Sequence, residues 1–156
     1  MLKRVLVAFA LACGAAGGAQ AATLLNGSFE DGPNPNGGLG FITLGTGDSS
    51  IDGWTVTDGS IDYIGTYWTA QDQSRSIDLA GISLGTLTQS LTDTIAGQDY
   101  RVSFWVSKNP DGGAATRTGT FSAGGQEFEF SYGLPNDRAN MNWQLESFRF
   151  TATGTN

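Results

Sequence analysis

Apolar and polar positions alternate with a period of two through most of the chain after Ala22, and clusters of Gly, Asn and Asp break the alternation. That is the pattern of short strands with one face buried, and no stretch carries a sustained helical stripe. "YRVSFWVSK" shows it most plainly: Tyr100, Val102, Phe104 and Val106 share one face, and Arg101, Ser103, Trp105 and Ser107 share the other. Phe128, Phe130 and Tyr132 alternate with Glu127, Glu129 and Ser131, and Phe148 and Phe150 mark a last strand. Trp54-Thr55-Val56-Thr57, the Asp58-Gly59 turn and Ile61-Asp62-Tyr63-Ile64 read as a hairpin. Ser76–Leu79 and Thr86–Thr92 read as two more strands, whereas 32–50 and 110–115 read as surface loops. Many short strands at turn-marked spacing predict an all-β, two-sheet antiparallel sandwich.

The first 21 residues do not fit that pattern. A basic start (Lys3, Arg4), an apolar run and the small-x-small triplet Ala19-Gln20-Ala21 make a signal peptide, with a mature domain over residues 22–156. The protein is then exported. A lipidated Cys13 is the competing reading, and Ala10-Leu11-Ala12-Cys13 lacks the usual Leu three residues before the Cys.

Leader removal takes away the only cysteine, so the mature domain forms no disulfide of its own. It also removes two of eight basic residues against fifteen acids, which deepens the formal charge from −7 to −9. So acidic a surface repels nucleic acid and anionic lipid, and suits a divalent cation or a neutral polymer. There is no histidine, which excludes Ser-His-Asp and Cys-His catalysis and His-ligated zinc.

Five blocks in fixed order carry a family likeness: "LLNGSFEDG", "IDGWTVTDGSIDYIGTYW", "SRSIDLAG", "GTLTQSLTDTIAGQDYRVSFWVSKNP" and "NMNWQLESFRFTATG". Together they resemble the choice-of-anchor C family of exported bacterial proteins and its relative, a domain of unknown function from plant cell walls. The resemblance implies a galactose-binding-like jelly roll, no enzymatic activity, a surface or extracellular location and a cell-wall polysaccharide ligand. The family pattern runs on into one or two further strands with an Asp-Asn-Val stretch, whereas this sequence stops at Asn156. The expectation is a sandwich short of its last strand or strands.

The resemblance also implies a structural calcium at a site matching Glu30. Calcium takes six to eight oxygen ligands, and Asn26, Glu30 and Asp31 are oxygen-bearing neighbours. In a regular strand Glu30 and Asp31 point to opposite faces, so both reach one ion only if the strand has ended there. The other reading makes Asn26-Gly27 a turn, Phe29 a core anchor and the two acids a solvated strand end.

Sugar binding on such a fold would use aromatic rings stacked on pyranose faces. Trp54 and Trp143 read as core. Tyr67 and Trp68 are adjacent at a strand end or loop, so at least one should face solvent. Trp105 lies on the polar face beside Arg101, as a ligand platform or under a loop such as 32–50. Burying about 100 Å² of ring at ~25 cal/mol per Å² yields roughly 2.5 kcal/mol. A millimolar complex needs about 4 kcal/mol, so a single Trp is no binding site without neighbours or avidity.

These residues predict a non-catalytic, exported module for carbohydrate or extracellular-matrix association, with Tyr67, Trp68, Arg101 and Trp105 as ligand contacts. The alternative is a structural or adhesive surface protein with no small ligand. A carboxylate glycosidase is the third class. Among the acids are Glu30, Asp62, Asp78, Glu127 and Glu129; the last two lie side by side on one strand face, yet an exposed alternating face produces such pairs by default.

Overall fold

The computed structural model describes residues 6–11, as backbone, and residues 22–154. The Ala19-Gln20-Ala21 cleavage site, Cys13 and the terminal Asn156 lie outside the described residues. The described residues form ten strands: β1 (Leu6–Leu11), β2 (Phe41–Gly45), β3 (Thr55–Asp58), β4 (Ser60–Ile64), β5 (Ser76–Asp78), β6 (Thr86–Thr88), β7 (Asp99–Ser107), β8 (Arg117–Ala123), β9 (Gln126–Tyr132) and β10 (Gln144–Thr151). No helix occurs among the described residues, and every strand pairing is antiparallel. Nor is there a helix among them long and apolar enough to cross a membrane.

One six-stranded sheet runs β10-β7-β1-β5-β4-β2. Opposing it are two separate ribbons, β3-β6 and β8-β9. The sequence predicts two sheets; the second layer is instead split into this pair. Two buried clusters fill the space between the layers. Phe29, Trp54, Val56, Ile61 and Tyr63 belong to the β3-β6 side, and Val102, Phe104, Val106, Phe130 and Tyr132 to the β8-β9 side. Leu79, just after β5, packs against both.

β7 follows its alternation as far as Val106, whereas Ser107, expected on the polar face, is buried with its hydroxyl bonded to the Met141 carbonyl. Tyr100, Val102, Phe104 and Val106 are buried, while Asp99 and Arg101 are exposed and Ser103 and Trp105 half-buried. The same period holds in β10, where Phe150 is buried between exposed Arg149 and Thr151. The two strands pair in full register from Gln144 opposite Val106 to Thr151 opposite Asp99.

Several expectations change. β3 and β4 are consecutive but do not form a hairpin: β3 pairs with β6, and β4 with β2 and β5. The chain changes layer at Gly59, whose φ is +59°. A Cβ there would lie 1.8 Å from the Leu84 carbonyl oxygen, so the backbone of 81–85 packs directly on the crossing point. Burial of β4 on both faces explains the change, because a two-stranded ribbon would leave one face wet. The loop read over 32–50 contains β2, an edge strand, and the strand read over 86–92 stops at Thr88. The 110–115 segment is a loop as expected. It is tied down by Arg117, buried and donating to the carbonyl oxygens of Ala114 (2.8 Å) and Gly112.

The Leu6–Leu11 segment, assigned on sequence grounds to the leader, pairs along its whole length with β7 and at Leu6 and Val7 with β5. An uninterrupted apolar run is the pattern of a strand at the middle of a sheet, and the uncleaved chain uses it so.

Replacing Gly59 with Ala is expected to cost ~3 kcal/mol or more, since it combines backbone strain with a backbone clash. Gly97→Ala provides the comparison: its φ is +79° and nothing lies within 4 Å of an added Cβ. It should cost only about 1 kcal/mol. Urea unfolding of the two variants measures the difference.

Candidate functional site

The acids that open the domain do a defined job. Asn26 sits at φ +46° in the 25–28 turn, and Phe29, at φ +63°, donates its N–H back to the Asn26 carbonyl (3.0 Å). The Asn26 amide nitrogen donates to the carbonyls of Asp31 (2.8 Å) and Asp52 (3.0 Å), while its Oδ1 accepts the Asp31 N–H (3.1 Å). Buried Trp54 donates its indole N–H to the Asn26 carbonyl at 3.1 Å. The Glu30 carboxylate accepts from Ser74 N (3.0 Å), Arg75 N (2.8 Å) and Ser74 Oγ (2.6 Å). Glu30 therefore clamps the segment that leads into β5. The Asn26 side-chain amide closes the turn beside it onto the backbone of Asp31. Together these contacts make a hydrogen-bonded bracket. Among the described residues no group of three or more His, Cys, Asp or Glu side chains is placed to hold a metal.

Tyr63 completes the bracket, its hydroxyl donating to the Phe29 carbonyl at 2.5 Å. Burial pushes its pKa above the usual tyrosine value; Arg75 opposes the shift, and Glu30 and Asp31 reinforce it.

The ligand-contact candidates fall in two places. Trp68 is buried, only 4% exposed, and donates its indole N–H to Ser76 Oγ (2.9 Å), so it is a core residue. Tyr67 is half-buried beside it and edge-on to Phe41, with ring centroids 5.1 Å apart. The Arg138 guanidinium lies 4.0 Å from the Tyr67 ring centroid and donates to the Tyr67 hydroxyl at 2.6 Å. Both Asp111 carboxylate oxygens accept from Arg138, at 2.8–3.1 Å. Phe41, Tyr67 and Asp111 rim a cleft of about 70 Å³ that Asp62, Asp78 and Asn109 also line. Asp78 is fully buried and accepts from Ala80 N and Asn109 Nδ2, each at 3.0 Å. Phe41, Asp111 and Arg138 carried no signal in the sequence. They reach Tyr67 from distant segments, and only the fold joins them.

Trp105 and Arg101 occupy the outer face of the six-stranded sheet. Register places Trp105 opposite Leu145, which is 51% exposed, Ser103 opposite Ser147, and Arg101 opposite Arg149. The two serine hydroxyls are hydrogen-bonded at 3.1 Å. Both arginines are exposed, and neither has an ion-pair or hydrogen-bond partner among the described residues. The loop expected to cover Trp105 does not belong to this region: its strand, β2, is at the far edge of the sheet, with β1, β5 and β4 between it and β7. The two candidate patches are thus separate, one at the Tyr67 cleft and one along β7 and β10.

Residues 22–156 match the model of a family described as protein of unknown function (DUF642). The chain belongs to the DUF642 family. This is the cell-wall-related domain of unknown function that the ordered blocks resemble. Halomucin from Haloquadratum walsbyi is 33% identical to this DUF642 chain over 135 residues. The alignment takes in 83% of this chain but 1% of halomucin, so the domain corresponds to a very small part of that relative. No solved structure matches the chain.

Glu30→Ala strands two backbone N–H groups and is expected to cost about 1–2 kcal/mol in urea unfolding. Tyr63 sets an alkaline limit. Its folded pKa is above 10.0, the unfolded value, so its neutral form stabilises the fold fully below that pH. That contribution is lost as pH rises through the folded value. Tyr63→Phe should lower stability by ~1 kcal/mol at neutral pH and flatten the loss seen in wild type above pH 10.0.

Proposed function

We propose that this chain is an exported, non-catalytic jelly-roll module of galactose-binding-like architecture that associates with carbohydrate or extracellular matrix at the cell surface. Membership of a cell-wall-related family and the likeness to halomucin support the location. Its leader, and an anchor of the kind that names the choice-of-anchor C family, are part of the same reading.

One observation carries the binding role: the outer stripe of β7 and β10. Trp105 and Leu145 offer adjoining apolar surface, the paired serines offer hydroxyls, and Arg101 and Arg149 offer donors with no partner of their own among the described residues. A pyranose stacked on Trp105 would reach that row of donors without any rearrangement of the sheet. The Tyr67 cleft is a second, smaller contact on the same principle, combining an aromatic ring with carboxylate acceptors. Trp68 takes no direct part, because it is buried.

Catalysis is left out of the proposal because the acid pair singled out in the sequence is not set across a cleft. Glu127 and Glu129 stand on the exposed face of β9, on one side of a strand. A glycosidase needs its two carboxyls facing each other across the bond to be cut. Calcium enters as a stabiliser of the bracket, where the Glu30 carboxylate would meet it with oxygens of Asn26 and Asp31.

A structural or adhesive role is the second reading. Ile82 is 85% exposed and Leu84 52% exposed on one turn, an apolar tip suited to a protein neighbour.

Retention on a panel of insoluble polysaccharides, with calcium and then with chelator, tests both readings. The wild-type protein should be held by at least one polymer, and Trp105→Ala and Arg101→Ala should each weaken retention about tenfold. Failure to bind any polymer would move the assignment to the adhesive role. The calcium component predicts a higher melting temperature on adding the ion, lost in Glu30→Gln; an unmoved melting temperature removes it.

A further inference from the structure

Four of the six basic side chains in residues 22–156 are used by the fold itself. Arg75 donates to the Ser74 carbonyl, Lys108 to the Ala115 carbonyl, buried Arg117 to the carbonyls of Gly112 and Ala114, and Arg138 to the Asp111 carboxylate. The other two, Arg101 and Arg149, stand directly opposite one another in the β7-β10 pairing. Both are exposed, with no partner among the described residues. Like charges so placed cost stability. Asp99, the acid two residues from Arg101 on the same face of β7, does not relieve them, because it accepts from the Thr151 hydroxyl at 2.7 Å.

We propose that Arg101 and Arg149 form an anion subsite within the outer stripe, so that the polymer bound there is acidic, with carboxylate or sulfate groups on its sugars; this rests on the stripe being the carbohydrate face.

Directly opposite residues of an antiparallel pair have Cβ atoms about 5 Å apart, so both guanidinium groups reach one anionic group. The planar fork of each matches a pair of carboxylate or sulfate oxygens. A neutral sugar would leave the two cations facing one another with their repulsion uncompensated, whereas an anion between them removes it. Four residues of strand, roughly 13 Å, separate Arg101 from Trp105, with the bonded hydroxyls of Ser103 and Ser147 between. One sugar ring does not span that distance. The ligand is therefore a chain, with a ring on Trp105 and Leu145 and an acidic group further along at the arginines.

The formal charge of −9 over residues 22–156 opposes a polyanion at the surface as a whole and by itself favours a neutral polymer. At physiological salt that field fades over ~8 Å, whereas contact with the arginine pair is local. A preference for an acidic polymer thus has to come from a particular site, and this pair is the one the fold leaves unpartnered among the described residues.

The test compares dextran, carboxymethyl-dextran and dextran sulfate of one chain length, which share a backbone and differ in charge. Binding is followed by biolayer interferometry at about 0.15 M salt. At least one charged form should bind tenfold or more tighter than dextran, with the difference shrinking at about 1 M salt. Preference for the carboxymethyl form identifies a carboxylate ligand, and preference for the sulfated form a sulfate. Arg101→Gln and Arg149→Gln should each abolish the preference without lowering the melting temperature, because each removes a like-charge pair. Lys108→Gln, the same change of charge beyond the end of β7, should leave the preference intact. Binding of both charged forms no tighter than dextran would overturn the subsite. So would a preference that survives both arginine substitutions, or one that Lys108→Gln abolishes as well. If insoluble polysaccharide still retains the chain in that case, the acidic ligand alone falls; if none does, the carbohydrate reading falls with it.

Discussion

Phe104 is the contact on which the two layers depend. It is fully buried on β7, and its ring lies 5.7 Å from Phe121, 5.2 Å from Phe130 and 5.7 Å from Phe148, centroid to centroid. Those partners belong to β8, β9 and β10, so one side chain joins the large sheet to the ribbon above it. Phe128 extends the group, 5.2 Å from Phe148 and 6.3 Å from Phe121. A domain with no cysteine after residue 13 has no covalent tie between layers, and aromatic burial of this kind must hold them. The same strand turns Arg101 and Trp105 outward. The period of two that builds the core thus also builds the exposed outer face, and neither can shift register without the other.

At the other end of the sandwich the Asn26–Asp31 bracket serves a comparable purpose with polar groups. Two left-handed residues, Asn26 and Phe29, reverse the chain tightly enough to put the Phe29 ring in the core and its carbonyl under the Tyr63 hydroxyl. Glu30 then reaches 44 residues along the chain to fix Ser74 and Arg75. Strain in two backbone conformations is offset by a network in which nearly every nearby donor is matched. Arg117 follows the same rule at the 110–115 loop, its buried guanidinium held by backbone carbonyls.

The split of the second layer starts from a single residue. Gly59 sends β3 and β4 to different layers, which places β6 beside β3 and leaves the edge of β6 turned toward β8. Val102 and Phe104 are buried beneath it all the same, on the reverse side of the strand that carries the outer stripe.

Alternation in "YRVSFWVSK" and "QEFEFSY" determined by itself that these segments are strands and which face of each is buried, because side-chain direction in a strand depends only on residue parity. The absence of histidine and the Gly-Asn-Asp punctuation likewise determined the chemistry left open and most turn positions. Tertiary structure decided pairing. The Asp58-Gly59 dipeptide has the local signature of a hairpin, yet burial of β4 on both faces and the close approach of Leu84 override it. The partners of Glu30, the cleft around Tyr67 and Arg138, and the free face around Trp105 were also decided there. Each is a contact between segments remote in the chain, and no local pattern records which distant backbone will arrive to meet a given side chain.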